Sequence, residues 1–135
     1  MLTFSRILVL GVLVALPTRS EDWPRFRGPT GQGHSSETRL PTSWTPDQGI
    51  RWKTEIPGIG WSSPIVWRDQ VLVTTVTDDN TRCRILAFDR SSGKLLWNTL
   101  THEMVPLRKE QKNSYASPTP VTDGQRVYAV FGDGI

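Results

Sequence analysis

The side chains that could carry chemistry in this sequence of 135 residues are few and far apart. His34 and His102 stand 68 positions apart, and neither has a cysteine or a second histidine at metal-ligand spacing. The Asp-Asp-Asn run at residues 78–80 offers oxygen ligands for calcium, but it lacks the ligand spacing and the glutamate of a calcium-binding loop. We therefore predict two surface histidines, a solvated turn at residues 78–81 and no metal ligands.

The candidate nucleophiles and phosphate-binding glycines also lack the neighbours that their chemistry needs. Cys83 is the single cysteine and falls within an apolar run, which favours a small buried side chain over a reactive thiol. Gly28, Gly31 and Gly33 have no strand before them and no Gly-Lys-Ser/Thr after them, so they do not form a phosphate-binding loop. The serines show no nucleophile elbow. The sequence thus predicts no catalytic and no cofactor-binding residue.

The first twenty residues have the form of a secretory signal peptide. Arg6 precedes the apolar run 7–16, and Pro17 and Ser20 supply a helix breaker and a small residue for cleavage after Ser20. The apolar run is too short to span a membrane stably, although an uncleaved anchor is the alternative. We expect residues 21–135 to be periplasmic or secreted, with no stable membrane span after cleavage.

The charge of the mature chain argues against nucleic acid as a partner. Cleavage removes Arg6 and Arg19, which leaves 14 basic residues against 13 acidic ones and a net charge of +1. The mixed-charge run 108–112 is short, so it is interpreted as a solvated loop rather than a nucleic-acid patch.

Residues 21–49 are predicted to form an extended arm, because prolines and glycines repeatedly interrupt any regular period. Trp23 and Phe26 give the arm more aromatic surface than a flexible linker has, so we expect it to lie against another part of the chain. Arg25 and Arg27 alternate with these aromatic residues. That pattern fits either an anion site or packing of the arm on a sheet edge, and it favours packing.

Regular structure is predicted to begin with a half-buried strand over residues 50–56, where apolar and polar residues alternate. Four further strands follow in meander order between residues 62 and 99, separated by polar turns. The charged segment 101–113 is interpreted as an insertion in a loop. A second hairpin is predicted over residues 120–128, where Pro-Val and Val-Tyr flank a polar turn.

Two weak repeats connect these strands. Residues 51–54 and 96–99 match at a shift of 45 positions, and the hairpins that start at residues 64 and 120 match at a shift of 56. The difference of 11 residues falls in segment 101–113. A four-stranded unit that repeats at this interval is typical of a propeller blade, in which stacking buries both faces of each sheet. The predicted fold class is therefore all-β.

Residues 86–97 read Leu-Ala-Phe-Asp-Arg-Ser-Ser-Gly-Lys-Leu-Leu-Trp. They resemble the blade signature Ala-x-Asp-x-x-x-Gly-Lys-x-x-Trp of the pyrroloquinoline-quinone-like (PQQ-like) β-propeller repeat family. Gly93 would supply a positive φ in the turn, Asp89 would accept turn N–H groups, and Trp97 would dock between neighbouring sheets. The predicted residues of this blade motif are structural rather than catalytic: Trp52, Ala87, Asp89, Gly93, Lys94 and Trp97.

Two further segments extend the resemblance. Residues 22–33 are similar to the opening of secreted bacterial members of the family, and residues 117–134 resemble the first two strands of a following blade. The resemblance implies a partial β-propeller of about one and a half four-stranded antiparallel blades after the signal peptide. The domains would be a signal peptide (1–20), an extended arm (21–49) and PQQ-like repeats truncated in the second blade (50–135). Because propellers have about four to eight blades, we expect a fragment of a longer protein.

The resemblance implies a non-catalytic exported scaffold that binds a protein partner through blade loops or edges and needs no cofactor. It resembles the outer-membrane protein assembly factor branch of the family, whose members typically carry a lipid-anchoring cysteine at the cleavage site. This sequence has no cysteine near Ser20. The alternative is the N-terminal part of a PQQ-dependent alcohol or sugar dehydrogenase, whose PQQ and calcium would be held by blades outside this sequence. A fragment that does not fold stably is a third possibility.

Overall fold

Six antiparallel strands form two sheets in the computed structural model, which describes residues 20–38 and 40–134. They are β1 (Ile65–Trp67), β2 (Gln70–Thr77), β3 (Arg82–Asp89), β4 (Leu95–Glu103), β5 (Val121–Thr122) and β6 (Val127–Tyr128). The described residues include no helix, so the predicted all-β class is confirmed. The predicted signal peptide lies outside the described residues except for Ser20.

The larger sheet is a meander in the order β1-β2-β3-β4, as the strand pattern between residues 62 and 99 predicts. β2 and β3 pair along their whole length without a break in register. In the turn that joins them, residues 78–80 all have positive φ, from 52° to 67°. Asp and Asn tolerate this left-handed conformation better than larger residues do, which explains the acidic run as a turn. β5 and β6 form the separate hairpin predicted over residues 120–128.

Apolar side chains occupy both faces of the β2–β3 pair. The first face carries Leu72, Val76, Cys83, Ile85 and Ala87, and the second face carries Val71, Val73, Leu86 and Phe88. Val127, Ala129 and Phe131, from β6 and the residues after it, pack against the first face. The smaller sheet therefore covers one side of the larger one.

The second face is covered by the segment that precedes β1. Trp52, Thr54 and Ile56 enclose, with Val71 and Phe88, an apolar space of about 140 Å³. The predicted strand over residues 50–56 is wrong, because none of these residues is assigned to a strand. The alternation instead reflects side-chain burial: Trp52 and Thr54 are half-buried, whereas Arg51, Lys53 and Glu55 are exposed. A strand also needs a backbone partner, and this segment is held by side-chain hydrogen bonds instead.

The predicted insertion over residues 101–113 begins inside a strand, because β4 continues to Glu103. The Thr101 hydroxyl donates to the Cys83 carbonyl oxygen at 2.9 Å, and His102 lies opposite Cys83 in the ladder. Polar residues suit this position because β4 is an edge strand with water on its outer side. The polarity of residues 101–103 therefore reflects an edge strand, whereas residues 104–113 are outside any strand, as the loop prediction requires.

The arm joins the edges of the two sheets. Trp23 and Val66 of β1 exchange two backbone hydrogen bonds of 2.7 and 2.9 Å, and the N–H of Thr122 in β5 donates to the Pro24 carbonyl at 3.0 Å. The interpretation that the arm packs on a sheet edge is confirmed. The arm thereby protects the exposed edge of β1 from further pairing.

Substitution of Gly93 is expected to be more damaging than substitution of Gly31, although both have φ near 70° (71° and 72°). A Cβ on Gly93 would lie 2.5 Å from the Trp52 ring, whereas a Cβ on Gly31 would meet no atom within 4 Å. Gly31→Ala should lower the free energy of unfolding by about 1 kcal/mol, the cost of the left-handed conformation. Gly93→Ala should lower it by about 3 kcal/mol, because the Trp52 ring must also move.

Urea denaturation of the full chain, followed by circular dichroism, measures both values. Equal losses in the two variants would contradict the packing of Trp52 on the turn.

Candidate functional site

The turn between β3 and β4 is built around the carboxylate of Asp89. Its Oδ1 atom accepts hydrogen bonds from the backbone N–H groups of Ser91 and Ser92, at 3.2 and 2.8 Å, and from both serine hydroxyls, at 2.6 and 2.7 Å. Because these bonds stabilise the charged form, they lower the pKa of Asp89 to about 2. A carboxylate held in this way orders the turn and is a poor proton donor or acceptor near neutral pH.

The backbone of the same turn is closed by two hydrogen bonds between Asp89, the last residue of β3, and the two residues that precede β4. The Gly93 N–H donates to the Asp89 carbonyl, and the Asp89 N–H donates to the Lys94 carbonyl, each at 2.8 Å. Gly93 has the positive φ that the sequence predicts for this position. Lys94 itself is exposed.

Trp52 and Trp97 lie on opposite faces of the larger sheet. Trp52 Nε1 donates to the carbonyl of Arg90 in the turn at 2.9 Å, and the Thr54 hydroxyl donates to the carbonyl of Gly93 at 2.7 Å. Trp97 is paired with the fully buried Ala87 and packs against the cluster of the first face. The structure thus brings the six residues of the predicted motif together around one turn and the strands that leave it.

Cys83 is buried, as the sequence predicts, with 0% of its surface exposed. Burial, with a smaller contribution from the negative charge of Asp133, raises the pKa of its thiol to about 11. A protonated thiol without access to solvent is a packing group rather than a nucleophile.

His34 is exposed, as predicted, whereas His102 is only partly exposed. The His102 side chain is 21% exposed, and its Nε2 atom lies 2.8 Å from Oδ2 of Asp133. The edge of the His102 ring also meets the Phe131 ring, with 5.5 Å between centroids. No sequence pattern indicates this contact, because Asp133 stands 31 residues from His102 and follows the second hairpin.

The outer strand β4 presents three exposed leucines, which we call the β4 strip: Leu95, Leu96 and Leu100, at 46%, 48% and 41% exposure. β4 pairs with β3 on one side and has no strand on its other side among the described residues. The strip therefore combines apolar surface with a row of backbone N–H and C=O groups that no strand satisfies. The sequence pattern does not single out these leucines, because their exposure depends on which segments pack against β4.

Residues 20–38 and 40–134 contain no group of three or more His, Cys, Asp or Glu side chains that could hold a metal ion. Within the same residues, no helix is long and apolar enough to cross a membrane. Comparisons with protein-family models, with curated proteins and with solved structures found no match.

Asp89 is expected to make the fold sensitive to acid. Its folded-state pKa of about 2 lies below the ordinary value of 3.8, so its stabilising effect is complete above pH 3.8 and is lost as the pH falls through 2. In the Asp89→Asn variant, whose side chain cannot ionise, the free energy of unfolding should depend less steeply on pH over this range. Urea denaturation at several pH values measures the slope.

Asp47→Asn is the matched control, because Asp47 is exposed in the arm and far from the turn in sequence. It should keep the wild-type slope. The role assigned to Asp89 would be contradicted by an unchanged slope in Asp89→Asn.

Proposed function

We propose that this chain is part of an exported, non-catalytic scaffold of the PQQ-like β-propeller type, which binds a protein partner through a sheet edge. The observation that carries the proposal is the β4 strip, an apolar surface on an edge strand. Strand addition by a partner uses two features, an unpaired strand edge and side chains that the partner can contact. β4 offers both, because its outer edge is unpaired and its leucines are exposed.

The two edges of the larger sheet support this choice of surface. The β1 edge is occupied by the arm through the Trp23–Val66 bridge, which leaves little backbone for a partner. On β4, natural edge strands usually avoid pairing through charged side chains, prolines or bulges that twist the edge away. β4 has register shifts against β3 at Leu96 and at Thr101, but it carries no proline and no Lys, Arg, Asp or Glu before Glu103. With nine residues it is long enough to pair with an extended segment.

The sheets themselves support the propeller part of the proposal. A meander of four antiparallel strands with apolar side chains on both faces must be covered on both sides. Radially stacked sheets provide such cover in propellers. The blade motif around Asp89 and Gly93 supports the same assignment by resemblance.

The partner should be captured by a photo-crosslinking residue placed at Leu100. In cells that export the full chain, benzoylphenylalanine at position 100 should give a discrete cross-linked protein, because this position faces the partner. The Leu96→Lys substitution should abolish that product, since it places a charge in the apolar contact. Leu96 is about half exposed, so the substitution leaves the buried core intact.

Glu37 is the control position, because it is also exposed but lies in the arm. The same cross-linked protein from position 37, or no product from position 100, would overturn the assignment of the β4 strip.

A separate assay tests the non-catalytic part of the proposal. The longer protein of which this chain is proposed to be a part, supplied with PQQ and calcium, should not oxidise primary alcohols or aldoses in a dye-linked assay, because the proposed scaffold is non-catalytic. Dye reduction that depends on PQQ and protein would identify the dehydrogenase alternative as correct.

A further inference from the structure

A cleft of about 260 Å³ lies on the first face of the larger sheet, between that sheet and the β5–β6 hairpin. The indole side chains of Trp67 and Trp97 line it, together with Gln70, Val127 and Arg126. Its volume is slightly below that of pockets for drug-sized ligands, so any occupant must be smaller than such a ligand. This cleft is separate from the β4 strip, because Trp97 pairs with Ala87 on the first face whereas Leu100 pairs opposite Arg84.

One hydrogen-bond donor of the cleft has no acceptor. Trp67 Nε1 is completely buried and has no hydrogen-bond partner among the described residues. An unsatisfied buried N–H costs about 1–3 kcal/mol, so a native fold normally supplies an acceptor from protein, water or ligand. The cleft lies beside this indole, because Trp67 is one of its lining residues.

Two further side chains that line the cleft, Gln70 and Arg126, also present donors. Trp97 Nε1 donates to Gln70 Oε1 at 3.2 Å, which leaves the amide NH₂ of Gln70 for a ligand. The guanidinium of Arg126 has no ion pair among the described residues. The nearby Asp123 does not line the cleft, and its two oxygens accept from the N–H groups of Gln125 and Arg126 and from the Tyr128 hydroxyl.

We propose that this cleft binds a small carboxylate with a flat apolar body, such as an aromatic acid. The apolar body would contact the two indoles, and the carboxylate oxygens would accept hydrogen bonds from Arg126 and from the donors beside it. No acidic side chain lines the cleft to repel the ligand. The occupant is a small molecule, so this site is independent of the protein partner proposed for the β4 strip.

Titration of the ¹⁵N-labelled full chain with sodium benzoate tests the proposal through the indole N–H resonances of the six tryptophans. Trp67→Phe and Trp97→Phe identify the two resonances that belong to the cleft. Both should shift saturably with benzoate, whereas the resonances of the exposed Trp44 and Trp61 should not. Benzyl alcohol, which has the ring without the charge, should bind at least about tenfold more weakly, the loss expected for one charge-assisted hydrogen bond.

Arg126→Gln should weaken benzoate binding about tenfold, whereas Arg51→Gln should leave it unchanged. Arg51 is the matched control because it is exposed in the segment that covers the opposite face, and both substitutions change the net charge equally. Both arginines are on the surface, so neither variant removes a core contact.

Three results would overturn the proposal. They are the absence of a saturable shift, equal weakening by the two arginine variants, and a spectrum without dispersed indole resonances. Without a saturable shift, the acceptor of Trp67 Nε1 would be water. Equal weakening by the two arginine variants would show that benzoate binding depends only on net charge. A spectrum without dispersed indole resonances would mean that the cleft does not form in solution.

Discussion

Water must be excluded from both faces of the β2–β3 pair, and the other described segments are arranged by this requirement. Each buried Leu, Ile, Val or Phe stabilises the fold by about 1.5–3 kcal/mol relative to an exposed side chain. A sheet with one polar face could have left that face in water, as many antiparallel sheets do. Here Val73, Leu86 and Phe88 face away from Leu72 and Ile85, so a single covering layer cannot bury both sets.

The two covers are attached in different ways. The first face is covered by a hairpin, whose two strands pair with each other and are joined to the arm through the Thr122 N–H. The second face is covered by an extended segment, which must find its partners elsewhere. It uses the carbonyl groups of Arg90 and Gly93 in the β3–β4 turn. The geometry of that turn therefore determines whether Trp52 can pack on the second face. The hydrogen bonds to Asp89 and the positive φ of Gly93 therefore stabilise the packing of a distant segment as well as a local turn.

The sequence predicted well what depends on neighbours in the chain. The strands β2 and β3, the turn at residues 78–81, the conformation of Gly93 and the burial of Cys83 all follow from local pattern and composition. It failed where a backbone or side-chain partner decides the outcome. Residues 50–56 have the alternation of a strand without a strand to pair with, and His102 meets Asp133 through the packing of two sheets. The propeller, the export of the chain and its function stay predictions, since they concern partners and segments beyond the described residues.

Incomplete cover explains why the two proposed sites differ in kind. On the first face, the hairpin reaches Ile85 and Ala87 through Val127 and Ala129, but the bulky indoles of Trp67 and Trp97 keep the sheets apart at one end. The result is an enclosed gap with donors, which suits a small acceptor molecule. On its outer edge, β4 has no strand partner among the described residues, and Leu96 and Leu100 stay in contact with water. An open strip of this type can be buried only by an extended segment such as a strand. Incomplete cover of the larger sheet therefore favours a small ligand in the proposed cleft site and a polypeptide on the β4 strip.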